Sequence, residues 1–135
     1  MLYKDLLIRL CRARDALRVL DERQPSIRQV ARDSGLSPFH FIRLFKAVFG
    51  ETPHQCRLQA RLARAKHLLT VTDYSVTEVC MEVGFSSLGS FSYLFSHRVG
   101  ISPSSYKRKV RGLLEGRGKM PKALTPGCFA LMGEK

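Results

Sequence analysis

The chain reads SIRQVARDSGLSPFHFIRLFKAVFGETP from Ser26 to Pro53 and SVTEVCMEVGFSSLGSFSYLFSHRVGISP from Ser75 to Pro103. The second stretch repeats the first, with a single extra residue after its glycine. The matched positions include Ser26/Ser75, Val30/Val79, Gly35/Gly84, Ser37/Ser87, Phe41/Phe91, Leu44/Leu94, Phe45/Phe95 and Gly50/Gly100. Because the unit occurs twice, we interpret it as two structural modules in tandem and not as a solenoid.

Each copy carries the signals of two helices joined by a tight turn. In the first copy, Ser26 is suited to cap a short helix, and Gln29 stands where it could complete a capping box. Gly35 can adopt the positive φ of a tight turn, and Ser37 can cap the helix that follows. The corresponding residues of the second copy are Ser75, Glu78, Gly84 and Ser87.

The second helix of each copy is amphipathic. Apolar residues recur at helical spacing and predict a buried stripe. The stripe contains Phe41, Leu44, Phe45 and Val48 in the first copy, and Phe91, Leu94, Phe95 and Val99 in the second. Two helices joined by a glycine-containing turn, the second with a polar outer face, are typical of a helix-turn-helix.

These signals predict an all-α fold of seven helices, a tandem helix-turn-helix of two subdomains joined by a long linker helix. The expected divisions are 1–52 for the first module (recognition helix 37–49), 53–72 for the linker helix, 73–111 for the second module (recognition helix 87–99) and 112–135 for a mobile tail. The first helix should run from Tyr3 to Arg23, and the last should end near Arg111.

The charge of the chain indicates a polyanionic partner. Among 135 residues, 23 Lys and Arg stand against 11 Asp and Glu, a net charge of +12. Such an excess favours nucleic acid, although basic residues can also serve solubility alone. No apolar run approaches the roughly 20 residues that span a bilayer. The four cysteines form no CxxC pair, which argues against a zinc ribbon or a disulfide framework. We expect no cofactor, metal, catalytic residue or membrane partner.

The first recognition helix carries the residues best suited to read bases. Once the buried stripe is subtracted, Phe39, Ile42 and Arg43 face outward. Arg43 can make a bidentate contact to guanine, and the apolar Phe39 and Ile42 suit thymine methyl groups. Packing of Phe39 against the first helix is an equal alternative.

The second recognition helix offers a weaker outer face. Its candidates for base contact are Gly89, Ser92 and Tyr93, and no cation follows until His97 and Arg98. We therefore expect the first module to discriminate sequence and the second to position the protein on DNA.

Basic and hydroxylated residues near these faces are candidates for contacts to the DNA backbone. We assign phosphate contacts to Ser37, His40, Lys46, Arg57, Arg61, Ser87, Ser90, Ser96, His97, Lys107 and Arg108. Arg64, Lys109 and Arg111 are further candidates. The alternative for each basic residue is a solvated helix face without a ligand.

The chain resembles the AraC/XylS family of bacterial transcription regulators. The resemblance rests on the doubled helix-turn-helix, on ARAKHLL (Ala63–Leu69) and above all on SVTEVCMEVGFSS…SFSYLFSHRVGISPSSYKR (Ser75–Arg108). It implies recognition helices in successive major grooves and RNA polymerase as a partner of a regulator that acts as an activator. It also places the family's DNA contacts on Phe39, Ile42, Arg43, Gly89, Ser92 and Tyr93. Many members carry Arg at Tyr93 and a polar residue at Gly89.

The expected function is sequence-specific binding of double-stranded DNA by a monomer, in the cytoplasm and associated with the nucleoid. A stand-alone regulator of the MarA and SoxS type and the DNA-binding part of a larger, effector-controlled regulator both fit the sequence. A non-specific nucleoid or nucleic-acid-binding protein is a further alternative. A fused DNA-repair methyltransferase would require a metal-bound cysteine, and the cysteines here are not clustered.

Overall fold

The computed structural model describes residues 2–20 and 23–116, and in this part of the chain it contains seven helices and no strand. The helices are α1 (Leu2–Leu17), α2 (Ile27–Asp33), α3 (Pro38–Phe49), α4 (Pro53–Val71), α5 (Val76–Glu82), α6 (Leu88–Val99) and α7 (Pro103–Leu114). The predicted all-α, tandem helix-turn-helix fold is confirmed. Helices α2 and α3 form the first helix-turn-helix, and α5 and α6 form the second.

The helices belong to two compact units, Met1–Arg61 and Leu62–Lys135. The boundary falls inside α4, whereas the sequence suggested a separate linker helix over 53–72. The physical reason is burial, because both parts of α4 supply core residues. Cys56 belongs to the core of the first unit, and Leu69 is fully buried in the second.

The core of the first unit draws on α1, α2, α3 and α4. Its buried members are Leu10, Ala13, Leu17, Val30, Ala31, Phe41, Phe45 and Cys56. The ring centroid of Phe45 lies 5.6 Å from that of Phe41 and 4.7 Å from that of Phe49. The prediction that Val48 joins this stripe is wrong, because Val48 is 46% exposed. Phe49 packs there instead, with the guanidinium of Arg14 4.4 Å above its ring.

The second unit contains an aromatic core of its own. The ring centroids of Phe91 and Phe95 are 5.7 Å apart, and Tyr106 of α7 meets Phe95 at 5.6 Å. Phe85, in the turn before α6, meets Phe91 at 5.2 Å. Phe91, Phe95 and Tyr106 are fully buried. Contacts of this kind add edge-to-face attraction to the burial of apolar area, and they hold α6 and α7 together.

The two modules cap their first helices differently. In both, the hydroxyl of the capping serine accepts a backbone N–H, at 3.0 Å for Ser26 and 3.1 Å for Ser75. Of these two helices, α2 and α5, only α5 has the full capping box, since the carboxylate of Glu78 accepts from the N–H of Ser75 at 2.9 Å. The box predicted for Ser26 and Gln29 is incomplete. The Gln29 carboxamide donates to Asp33 along its own helix, at 2.9 Å.

The turn between α2 and α3 favours glycine because of its backbone conformation. Gly35 has a φ of 76°, a conformation that residues with a side chain rarely adopt. A Cβ atom at Gly35 would also lie 2.9 Å from Nη1 of Arg9, which donates to the carbonyl of Ser34 at 3.0 Å. Arg9 therefore closes the end of α2, and a side chain at Gly35 would have to displace its flexible guanidinium.

The sequence suggested that the first helix ends at Arg23. In the structure, α1 ends at Leu17. Nε of Arg57, which lies on α4, donates to the carbonyl of Leu17 at 3.3 Å. This bond satisfies a carbonyl that would otherwise require the next turn of helix. The helix therefore ends where the side chain of Arg57, and not a backbone N–H of a further turn, donates to its last carbonyl.

Helix α7 continues beyond Arg111 to Leu114. The prediction that the tail begins at residue 112 is therefore wrong for residues 112–114, which complete the last turn of the helix. The remainder of the predicted tail, residues 117–135, lies outside the described residues.

Candidate nucleic-acid interface

The first turn of α3 is exposed to solvent. The hydroxyl of Ser37 accepts the N–H of His40 at 3.2 Å, and Pro38 occupies the first helical position. Ser37, His40 and Lys46 are all exposed, so the structure presents each of these three predicted phosphate contacts on open surface. The Ser37 hydroxyl accepts one bond as a cap and retains its own proton to donate to a ligand.

Phe39 and Arg43 form a pair on this face. Phe39 is 70% exposed, so the alternative that it packs against the first helix is wrong. The guanidinium carbon of Arg43 lies 5.5 Å from the centroid of the Phe39 ring. This distance is within the range of a cation–π contact. The pair therefore combines an apolar ring and a charged donor at the beginning of the helix.

Ile42 faces the solvent only in part. The sequence placed it wholly on the outer face, but the structure shows it half-buried and packed against the core of the first unit. Its position between the buried Phe41 and the exposed Arg43 puts its side chain at the edge of the stripe. Any contact that Ile42 makes with DNA can use only the outward part of the side chain.

The outer face of α6 carries no cation near its beginning. Ser87 caps the helix, and its hydroxyl accepts the N–H of Ser90 at 3.2 Å. The exposed residues on this face are Leu88, Gly89, Ser90, Tyr93, His97 and Arg98, whereas Ser92 and Ser96 are half-buried. Tyr93 is 68% exposed and stacks on His97, with ring centroids 6.0 Å apart.

Arg57 is buried, which does not favour the phosphate contact predicted for it. It is only 8% exposed, and its Nε donates to the carbonyl of Leu17. Burial lowers the pKa of the Arg57 guanidinium from its ordinary value, and the charge of nearby Arg61 lowers it further. A buried guanidinium whose Nε already binds a helix-end carbonyl is poorly placed to contact a phosphate. Arg61 is half-buried on the same helix.

Lys107 and Arg111 also bind backbone carbonyls of their own unit. Nζ of Lys107 donates to the carbonyl of Tyr74 at 2.8 Å. Nη2 of Arg111 donates to the carbonyl of Thr72 and pairs with Asp73 at 2.9 Å. The phosphate contacts expected of these two residues would have to compete with bonds that hold the segment between α4 and α5. Neither is therefore a free cation.

Other basic residues remain available at the surface. His40, Arg43, Lys46, Arg64, Arg98, Arg108 and Lys109 are exposed. Arg28 and Arg32 on α2 were not among the predicted phosphate contacts, and they line a groove of about 500 Å³ with Gly35, Leu36 and Pro38. Their spacing of four residues on a short helix was the signal that could have identified them.

Among residues 2–20 and 23–116, no three His, Cys, Asp or Glu side chains come together as a metal site. No helix in the same residues has the length and apolarity needed to cross a membrane. Cys56 and Cys80 are buried, and burial raises the pKa of both thiols. A raised pKa reduces the thiolate fraction and makes each a poor nucleophile.

The arrangement of two helix-turn-helix units agrees with a comparison against known families. The profile described as a helix-turn-helix domain matches residues 30–109, which include both recognition helices. The chain belongs to the AraC-type helix-turn-helix family.

Individual AraC-type relatives also resemble this chain. The MmsAB operon regulatory protein of Pseudomonas aeruginosa is 40% identical over 85 residues, which are 63% of this chain and 28% of that protein. A transcriptional regulator of Chromobacterium violaceum with an AraC-type DNA-binding domain has a TM-score of 0.70, at 30% identity over 78% of this chain and 93% of its own. The DNA-binding domain of AdpA in complex with a target DNA has a TM-score of 0.65, at 29% identity over 79% and 93%.

The chain thus spans less than a third of the length of the MmsAB regulator. It covers nearly all of both AraC-type domain structures. What the chain shares with these proteins is the tandem helix-turn-helix domain, and properties of their remaining parts do not transfer to it.

Proposed function

We propose that this chain is a sequence-specific, double-stranded DNA-binding transcription regulator of the AraC/XylS type. The observation that carries the proposal is the exposed face of the first two turns of α3, where Phe39 and Arg43 stand clear of the core on a chain of net charge +12. In a helix-turn-helix, this end of the second helix contacts base edges in the major groove. The AdpA domain, which shares the fold at 29% identity, was solved with a target DNA.

Base reading is assigned mainly to the first unit. The guanidinium of Arg43 can donate two hydrogen bonds to O6 and N7 of guanine. The outward part of Ile42 and the ring of Phe39 supply apolar surface beside it. In the second unit, Gly89, Ser92 and Tyr93 face the second groove with small or neutral groups, so this unit contributes less discrimination.

The set of phosphate contacts follows from exposure and hydrogen bonding. Arg57 is removed from the set because it is buried, and Lys107 and Arg111 because they already bind carbonyls. Arg28 and Arg32 are added because they line an open groove beside the turn that precedes α3. The contacts retained are Ser37, His40, Lys46, Arg61, Ser87, Ser90, Ser96, His97 and Arg108.

The proposal also covers the binding stoichiometry on DNA, the protein partner and the cellular location. The protein binds as a monomer to an asymmetric site of about 20 base pairs, with the two recognition helices about one helical turn of DNA apart. It acts as an activator by recruiting RNA polymerase, as the family resemblance implies, and works in the cytoplasm on the nucleoid. The proposal includes no catalytic step. The buried thiols of Cys56 and Cys80, with their raised pKa, do not support a methyl-accepting cysteine.

A second candidate is the DNA-binding part of a larger, effector-controlled regulator. The observation in its favour is that the chain matches only 28% of the MmsAB regulator. The two candidates share the DNA-binding surface and differ in whether a ligand changes its affinity.

Selection of bound duplexes from a random pool tests the proposal. The expected result is a motif of two blocks about 10 base pairs apart, with the first block the more constrained. Affinity for that motif should fall by about 10³–10⁵ between 50 and 200 mM salt if roughly six or more phosphates are contacted. Equal affinity for selected and random duplexes would establish a non-specific nucleic-acid-binding protein instead. In vitro transcription from a promoter that carries the motif then decides between activation and repression.

A further inference from the structure

Both recognition helices carry an exposed aromatic residue followed four positions later by a basic one. In α3 the pair is Phe39 and Arg43, with the guanidinium 5.5 Å from the ring centroid. In α6 the pair is Tyr93 and His97, whose rings are stacked 6.0 Å apart and 10° from parallel. The pairs look alike, but they occupy different turns of their helices.

The repeat makes the difference in position explicit. Phe39 is the second residue of α3, and the second residue of α6 is Gly89. Arg43 is the sixth residue of α3, and the sixth of α6 is Tyr93. The second unit therefore has neither the ring nor the cation at the positions that form the pair in the first unit. Its own pair lies one turn further along the helix.

The position of the Arg43 guanidinium follows from helix geometry. Long side chains on a helix lean toward its N-terminus and cover the residue one turn earlier. The Phe39 ring receives the guanidinium there, at the first turn of α3. That turn is the part of a recognition helix that reaches base edges.

We propose that Phe39 is a positioning residue that holds Arg43 in place to read a guanine in the first half of the site. The inference rests on the proposed function and changes the role of Phe39, which acts through Arg43 and not as a reader of thymine. An unsupported arginine loses much side-chain freedom when it makes two hydrogen bonds to one base. A guanidinium already held over a ring has lost part of that freedom before DNA binds.

Exposure supports this role over direct contact with thymine. The ring of Phe39 is 70% exposed, an unfavourable arrangement for an apolar residue without a partner. One face of the ring is covered by the guanidinium, which supplies that partner. The ring also makes no contribution to the buried core cluster of the first unit. Core packing therefore does not require an aromatic residue at this position.

A double-mutant cycle with modified DNA tests the inference. The probe is the duplex selected by the wild-type protein, with each guanine of the first half-site replaced in turn by 7-deazaguanine, which lacks the N7 acceptor. For wild type, one such replacement should weaken binding several-fold. Phe39→Leu should weaken binding to the unmodified duplex by about two- to five-fold and reduce the penalty of that replacement. Phe39→Tyr, which keeps the ring, should behave as wild type.

The decisive measurement uses the Arg43→Ala background. There Phe39→Leu should have no further effect on affinity, and 7-deazaguanine should carry no penalty. If Phe39→Leu costs the same with and without Arg43, Phe39 contacts DNA itself and the inference is wrong. Tyr93→Leu is the matched control. It should leave the 7-deazaguanine penalty in the first half-site unchanged.

Two other outcomes separate this inference from the proposed function. If wild type binds its selected motif but no guanine of the first half-site is sensitive to 7-deazaguanine, the function stands and the role of Phe39 fails. If wild type selects no motif, the proposed sequence-specific DNA binding is wrong, and the role of Phe39 that rests on it is wrong as well. Phe39 is exposed, so unchanged thermal unfolding of the Phe39 variants should confirm that the affinities refer to folded protein.

Discussion

The first unit spaces the rings of Phe41 and Phe45 5.6 Å apart, and the second spaces those of Phe91 and Phe95 5.7 Å apart. Serine caps and turn glycines with positive φ also recur in both. The outer faces differ completely at the equivalent positions. The first unit presents an aromatic residue and an arginine where the second presents Gly89 and Tyr93.

This contrast shows which positions the repeat preserves. Buried rings are preserved because a core at native density tolerates little change in volume. Turn glycines are preserved because the backbone there excludes side chains. Exposed positions carry neither constraint, so they are where the two units can acquire different contacts with DNA. The face of the first unit is suited to discriminate bases, and that of the second to lie close to the backbone.

The largest expected effect is on the free energy of unfolding. Each unit has an arginine that donates to a carbonyl at the end of a helix, Arg57 in the first unit and Arg111 in the second. Arg57→Met should lower the free energy of unfolding by about 1–3 kcal/mol, because it leaves the buried carbonyl of Leu17 without a donor. Arg111→Met should cost about 1 kcal/mol or less, since Asp73 is 97% exposed and the Arg111 side chain is 36% exposed. Urea unfolding of both variants measures the difference.

A matched surface variant separates stability from DNA contact. Lys46→Met should leave urea unfolding unchanged and reduce the slope of log affinity against log salt by about 0.9. Arg57→Met should leave that slope unchanged when measured on folded protein. A reduced slope for Arg57→Met would show that Arg57 reaches a phosphate after all.

The next effect compares the outer faces of the two recognition helices. Arg43→Ala should cost about 1–3 kcal/mol of binding free energy on the selected site and relax preference at one base pair. Tyr93→Ala should cost less, because a phenol in the second turn of α6 offers no bidentate donor. Titrations on the selected duplex and on single-base variants measure both. An equal or larger loss of discrimination for Tyr93→Ala would reverse the ranking of the two units.

The smallest effect concerns the capping box at the start of α5, which has no complete counterpart at the start of α2. The backbone N–H of Ser75 donates to the Glu78 carboxylate, and this bond, with the Ser75 hydroxyl, holds the pKa of Glu78 below its ordinary value. A carboxyl with a lowered folded-state pKa stabilises the protein above its unfolded pKa, and the contribution is lost as pH falls through the folded value. The stability difference between wild type and Glu78→Gln should therefore be constant near neutrality and shrink below about pH 4.3.

Chemical unfolding as a function of pH measures this difference. The matched control is Glu82→Gln at the other end of α5, away from the Ser75 cap, where the same loss of the stability difference should be absent. A difference for Glu78→Gln that persists unchanged to low pH would mean that the carboxylate does not stabilise the cap.

Much of the fold could be predicted because its signals are local. The spacing of Phe41 and Phe45 predicted the buried face of α3, and Ser37 and Gly50 bracket the same helix in the structure. The exposed pair of Phe39 and Arg43 was placed on the outer face by subtraction alone. Helical periodicity and capping preferences act over a few residues, so a single sequence contains them.

The rest could not be predicted because it depends on which side of a helix meets another element. Steps of three and four residues put Arg57 with Arg61 and Arg64 on one apparent basic stripe, but nothing local indicates that Arg57 is buried. Ile42 lies at the edge of a stripe, where a small rotation of the helix decides between core and solvent. Phe49 displaced Val48 for the same reason.

By itself, the sequence determined the seven helices, the two glycine turns, the duplicated aromatic stripe and membership of the AraC-type family. Only the tertiary structure decided which basic residues remain exposed and which bind backbone carbonyls. Arg57 donates to a carbonyl 40 residues away, and Arg111 pairs with Asp73 across 38 residues. A helix-end carbonyl requires a donor wherever the packed chain brings one. That requirement is satisfied in space, and residue types and their spacing do not encode it.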